Sequence, residues 1–184
     1  MHNNKNTFCV APWFQIKNGQ DMSKEVCCAI STEITEHMPS QNMSSLEYLN
    51  TQPIRDLKKD LANGVRSEHC RICWLKEENG IRSLRQDLNE LISLQKDINA
   101  ANWMDVYFNN KDDFNSDMVL SADIKVGNTC NYACVMCHPE DSSLIYANWM
   151  ANLDHPIVQS VLEEDPEYLT RAKSFTFKNK QYIK

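Results

Sequence analysis

The chain has 184 residues, 42% of them hydrophobic and 24% charged, which is globular composition with enough apolar material for one medium domain or two small ones. A formal net charge of -6, with 19 basic residues scattered and none in a tract, argues against holding nucleic acid through its phosphates. No window approaches the roughly 20 apolar residues of a bilayer span, and MHNNKNTFCV lacks the apolar core of a signal peptide, so a soluble, cytoplasmic protein with no membrane partner is expected.

In FCVAPWFQIKNGQDMSKEVCCAI, two apolar runs flank a polar stretch containing Asn18 and Gly19, which predicts a hairpin. It would bring Cys9, at the start of one strand, beside Cys27, at the end of the next. STEITEHMPSQNMS has no clear period. TQPIRDLKKDLANG predicts a short amphipathic helix: Pro53 opens it, Ile54, Leu57 and Leu61 share a face, and Gly64 stands where a left-handed cap belongs. The chain then returns to SEHCRICWLKEENG, with Cys70 and Cys73 expected on a turn. From Ile81 to Ile98, Leu84, Leu88, Leu91 and Ile98 recur at helical spacing. Residues 99–117 lose all period and read as a linker, with Trp103, Tyr107 and Phe114 as docking side chains. MVLSADIKVG alternates Leu120, Ala122, Ile124 and Val126 as a strand would; residues 141–152 read as a helix and KSFTF as the start of a second strand. Strand, loop, helix and strand in that order would open a right-handed parallel α/β unit.

The eight cysteines carry the chemistry. In a reducing compartment, thiols in tight groups read as metal ligands rather than half-cystines. Cys130, Cys134 and Cys137 form CxxxCxxC in the loop after the predicted strand. Four thiolates close an iron-sulfur cluster or a structural zinc site; three leave one metal with an open position. The stretch CNYACVMC, directly after ADIKVGNT, resembles the signature of the radical S-adenosylmethionine enzymes. That resemblance implies that Cys130, Cys134 and Cys137 hold a 4Fe-4S cluster whose fourth iron is chelated by S-adenosylmethionine. Reductive cleavage of the cofactor then gives a 5′-deoxyadenosyl radical that abstracts hydrogen from a substrate. Met136 stands where the family usually has an aromatic residue, and would pack near the adenine. The bland reading is a chance spacing, or a zinc loop borrowing His138.

Cys9, Cys27, Cys70 and Cys73 have the logic of a complete site, two thiols from a hairpin and two from a CxxC turn. Cys28 is an alternative to Cys27, because neighbouring strand side chains point to opposite faces. With Gly19 after Cys9, the pattern resembles the twitch domain, the short form of the SPASM auxiliary-cluster domain, although seven residues rather than the usual four separate Gly19 from Cys27. CRICWLKEENGIRSLRQDLN also resembles a radical SAM subgroup in which this domain precedes the barrel. The resemblance implies that these four cysteines hold an auxiliary 4Fe-4S cluster, and the spacing alone admits zinc instead.

The expected fold class is therefore α/β with an α+β N-terminal part: a twitch-like hairpin-and-helices domain at 1–100, a linker at 101–117, and the start of a partial (β/α)6 TIM-like barrel at 118–184. The glycine-rich motif that follows the family's second strand has no counterpart in SFTFKNKQYIK, so an incomplete barrel is expected, one not competent alone as an enzyme. The family implies an electron donor such as flavodoxin or ferredoxin and points to a peptide substrate. The rival reading is a non-catalytic binding module stabilised by zinc or a cluster. Glu77 and Glu78 beside Arg82 and Arg85 read most simply as a solvated helix start. The five histidines follow no ligand spacing, and the four tryptophans read as packing residues, Trp13 and Trp74 shielding the auxiliary site.

Overall fold

The computed structural model describes residues 7–19, 22–31, 34, 40–94, 114–125, 127–130, 132, 134 and 136–178, the side chains of 174–178 excepted. It is a mixed α/β chain that divides into two compact units, residues 1–18 with 22–123, and 19–21 with 124–184.

In the first unit the hairpin forms in shortened shape. Pro12 opens a one-turn helix, α1 (Ala11–Phe14), that replaces most of the expected first strand, leaving β1 (Gln15–Asn18) paired antiparallel with β2 (Lys24–Glu25). The register sets Lys17 opposite Glu25, and the two side chains form a 2.7 Å ion pair. Next comes α2 (Ser45–Leu49), opened by a reciprocal capping box between Ser44 and Glu47 that satisfies two otherwise orphaned backbone donors. The expected amphipathic helix is α3 (Gln52–Ala62), and Ile54, Leu57 and Leu61 are all buried against Trp13, Ile16, Val26 and Tyr48 in the core. Gly64, at φ 84°, closes it: Val65 N–H reaches back to the Asp60 carbonyl at 2.9 Å, the longer bond of a Schellman cap.

Cys70 and Cys73 depart from expectation. They lie not on a free turn but at the start of α4 (Arg71–Glu78), Cys70 as its N-cap and Cys73 in its first turn. A second Schellman cap at Gly80 (φ 70°) reverses the chain, with Gly80 N–H bonded to the Glu77 carbonyl at 3.1 Å and Ile81 N–H to the Lys76 carbonyl at 2.8 Å. Ser83 and Gln86 then form a reciprocal cap that opens α5 (Leu84–Leu94). Leu84, Leu88 and Ile92 pack on the core, whereas Leu91 is 56% exposed and does not belong to the buried face; Ile98 lies outside the described residues.

The end of the expected linker is docked. Ser116 is buried, exchanges two backbone hydrogen bonds with the Asn50 side chain, and donates its hydroxyl to the Trp13 carbonyl at 2.7 Å. The buried Lys58 ammonium donates to the Leu49 and Phe114 carbonyls and to Ser116 Oγ, so all three of its protons are accommodated. Phe114 packs on the core as expected, and Trp103 and Tyr107 lie outside the described residues. The strand β3 (Ser121–Ile124) exists, but it joins the hairpin in a three-stranded sheet of order β2-β1-β3. All four of its residues are exposed, so the apolar alternation there does not mark a buried face.

In the second unit the cysteine loop leads into α6 (Ser143–Ala151), followed by α7 (Pro156–Glu164) and α8 (Tyr168–Lys178). The second strand expected at KSFTF is instead part of α8. Leu169 and Ala172 are buried at helical spacing, and Tyr168 packs its ring 5.8 Å from that of Trp149 on α6; this helical pattern outweighs a five-residue alternation with no strand partner. Among the described residues the elements are mixed α/β with one three-stranded sheet, and they show no partial barrel. Among the described residues no helix is long and apolar enough to cross a membrane.

Candidate metal centre

Four cysteines separated by up to 64 positions converge in the first unit: Cys9, Cys27, Cys70 and Cys73 line one pocket with Ala29, Leu84, Arg85 and Leu88. Cys9 is delivered by the segment entering α1, Cys27 by the turn just after β2, and the other two by the start of α4. Of the adjacent pair, Cys27 is buried and faces the pocket while Cys28 is exposed. Trp13 and Trp74 are buried in the core, but neither lines the pocket, whose wall beside the cysteines is Ala29, Leu84, Leu88 and Arg85.

A hydrogen-bond frame fixes the four segments. The Asn89 side chain on α5 brackets Cys9: its Oδ1 accepts from Val10 N–H at 2.9 Å and its Nδ2 donates to the Phe8 carbonyl at 2.8 Å. Ser31 N–H donates to the His69 carbonyl at 2.9 Å, tying the turn after Cys27 to the segment of Cys70. Arg85 joins the remaining parts. It donates to the Phe8 carbonyl at 2.8 Å and makes two hydrogen bonds to the Glu77 carboxylate at 2.9 and 2.6 Å, and Glu77 lies one turn beyond Cys73 on α4. Trp74 stacks under the Arg85 guanidinium at 5.0 Å and donates its indole N–H to the Ser67 carbonyl.

This corrects the expectation of a solvated charge run. Arg85 is 6% exposed, and Glu77 takes a further hydrogen bond from Ser83 Oγ. Burial alone pushes the Glu77 carboxyl up, but the bonds from Arg85 and Ser83 and the nearby positive charges more than offset it, holding the group below the usual carboxylate range. Glu78 and Arg82 do keep exposed partners, Arg66 for the first and Asp87 with Glu90 for the second. A signal for Arg85 and Asn89 was present: both interrupt the apolar stripe Leu84, Leu88 and Ile92, where a polar group must have buried partners.

Burial dominates the thiols. It pushes Cys70 up to about 12, helped by the neighbouring Cys27 and Cys73, and Cys27 up to about 11 against hydrogen bonding from the Ala29 backbone; Cys9 is also raised, chiefly by burial. Thiols of this kind stay protonated at neutral pH until a metal displaces the protons. Four soft sulfurs lining one largely apolar pocket have the donor chemistry of a thiolate-bound centre. Among the described residues, no group of three or more His, Cys, Asp or Glu side chains is gathered to hold a single metal ion. One tetrahedral zinc would need its sulfurs about 3.8 Å apart, from Zn–S bonds of about 2.3 Å.

The three cysteines of the second unit are placed differently. Cys130 and Cys137 are partly exposed, and Cys134 and Met136 are exposed, Met136 at 87%. Tyr132 N–H points at Cys130 Sγ at 3.4 Å, and Cys137 N–H bonds the Cys134 carbonyl at 3.0 Å, closing a turn. Both ends of the loop are anchored: Ser143 N–H donates to the Asn128 carbonyl at 2.9 Å, Pro139 is fully buried, and buried Ser142 caps α6 by accepting from Ile145 N–H. His138 offers its carbonyl to Asp141 and Ser142 N–H. Comparison of the chain with protein-family models, curated proteins and solved structures finds no match.

Proposed function

We propose that the chain is a radical S-adenosylmethionine protein with an auxiliary-cluster unit ahead of its cofactor loop. The observation that carries the proposal is the convergence of Cys9, Cys27, Cys70 and Cys73 on one pocket, separate in sequence from the CxxxCxxC loop. Two thiol sets, one complete and one lacking a fourth ligand, are what a protein with an auxiliary and a catalytic 4Fe-4S cluster requires. In this reading Cys130, Cys134 and Cys137 would hold the second cluster, β3, the loop and α6 would be the first β/α unit of a partial barrel, and Met136 would pack near the adenine. When bound, the cluster and S-adenosylmethionine supply reductive generation of a 5′-deoxyadenosyl radical. The chain's own part is to leave one coordination position open at an accessible loop, with Pro139, Asn128 and Ser142 fixing its ends. The partners are an external one-electron donor of the flavodoxin or ferredoxin kind and a peptide substrate.

The test is anaerobic reconstitution with iron and sulfide, then electron paramagnetic resonance of the reduced protein with and without S-adenosylmethionine. A spectrum altered by the cofactor in the wild type, but not in a Cys130→Ala, Cys134→Ala, Cys137→Ala triple variant, is expected. Tightly held zinc with no visible absorption would favour a zinc-stabilised binding module instead, because the same four-cysteine donor set also closes a zinc site.

A further inference from the structure

Arg85 is the charged side chain in the wall of the four-cysteine pocket, and its counter-ion Glu77 is not part of that wall. The pair is therefore a fixed dipole with its positive end toward the sulfurs. Its orientation is over-determined: Phe8 carbonyl, Trp74 ring, Ser83 hydroxyl and two Glu77 oxygens each hold one end. Side chains only 7% and 12% exposed are poorly screened, so the field reaches the pocket.

We infer that Arg85 sets the reduction potential of the centre held by Cys9, Cys27, Cys70 and Cys73, with Glu77 as the counter-charge that positions and moderates it; this rests on the cluster reading above. When the cluster accepts one electron from an external low-potential donor, the cluster with its four thiolates becomes one unit more negative and no bond or proton changes hands. A nearby fixed cation favours the more negative state, and net charge around a cluster is one of the main controls on its potential. A unit charge acting across about 10 Å at an effective dielectric of about 20 changes an equilibrium on the order of tenfold. Removing Arg85 and removing Glu77 must then shift the potential in opposite directions, whereas a purely structural ion pair has no reason to do so.

The experiment uses the full chain carrying Cys130→Ala, Cys134→Ala and Cys137→Ala, so that only the N-terminal site loads, reconstituted anaerobically with iron and sulfide. Iron and sulfide are counted, and the midpoint potential is read by redox titration, in that parent and in Arg85→Gln, Arg85→Lys and Glu77→Gln versions. Arg85→Gln is expected to lower the reduced-to-oxidised ratio at fixed potential about tenfold, a midpoint about 59 mV more negative. Glu77→Gln is expected to raise the ratio, and Arg85→Lys to stay within about threefold of the parent. Equal midpoints, or shifts of the same sign in the two neutral variants, overturn the inference while leaving the cluster reading intact. A parent that loads no iron overturns both. Should Arg85→Gln not retain its iron, the sign of the Glu77→Gln shift decides.

Discussion

Replacing Asn89 with Ala removes the bracket on both sides of Cys9. The Phe8 carbonyl keeps its bond from Arg85, so that acceptor is not orphaned. The Val10 N–H is different: Val10 is 4% exposed and its donor goes to Asn89 Oδ1, so truncation strands a buried N–H. An unsatisfied buried donor costs about 1–3 kcal/mol. A value near 2 kcal/mol corresponds to a roughly thirtyfold change in a folding or local-opening equilibrium. In the reduced, metal-free protein, Cys9 should then be alkylated by iodoacetamide roughly thirtyfold faster in Asn89→Ala than in the wild type, followed by peptide mapping, and the urea midpoint should fall correspondingly. Leu91→Ala on the same helix is the control; at 56% exposure it should cost no more than about 0.5 kcal/mol. Equal Cys9 rates and midpoints in Asn89→Ala and wild type would refute the claim that α5 holds this thiol in place.

Stability of the metal-free protein should fall at both ends of the pH scale. The folded thiols of Cys27, Cys70 and Cys9 titrate above the ordinary range near 8.5, so the folded state binds more protons; their contribution is complete below about pH 8.5 and is lost as pH rises toward the folded values of about 11 and 12. Glu77 has the opposite sign: lowered in the fold, it contributes above about pH 4.3 and is lost as the carboxylate protonates. Urea midpoints across pH 3–10 under reductant should show both declines, and Glu77→Gln should remove part of the acid one. Ser44→Ala should cost about 1 kcal/mol by chemical denaturation, because it breaks the cap of α2, with no effect on metal content. Cys28 and Cys134, both exposed, should react with a thiol reagent well before buried Cys9, Cys27 and Cys73.

Local rules read from the sequence held where one strong signal acted alone. Pro53 and Gly64 bounded α3, and Ile54, Leu57 and Leu61 faced the core because nothing competes with a three-turn apolar stripe between a good start and a good stop. The meeting of Cys9 with Cys27 was likewise legible from the polar break at Asn18 and Gly19, although Pro12 converted most of the first strand to a helical turn. Short alternations were less informative. KSFTF reads as strand over five residues, yet it continues the helix begun by Tyr168, and SADI forms a strand without burying either face. The Ser44–Glu47 cap was written in the sequence as S-x-x-E, but the five-residue helix it opens is too short to show a period, so α2 was missed. Most costly was the charge cluster, where neighbours in sequence imply solvent exposure. Gly80 folds α5 back on α4, and this reversal, invisible to a spacing rule, buries Arg85 against Glu77 beside the thiols.

The proposed function requires the four N-terminal thiols and the three-thiol loop to be two separate iron-sulfur sites. Iron, acid-labile sulfide and zinc counted per chain after anaerobic reconstitution test this most directly, in the wild type and in a Cys9→Ser, Cys73→Ser double variant. About eight irons and eight sulfides are expected for the wild type, falling to about four of each in the double variant. Zinc retained in place of iron, or an iron count unmoved by the loss of Cys9 and Cys73, would contradict it.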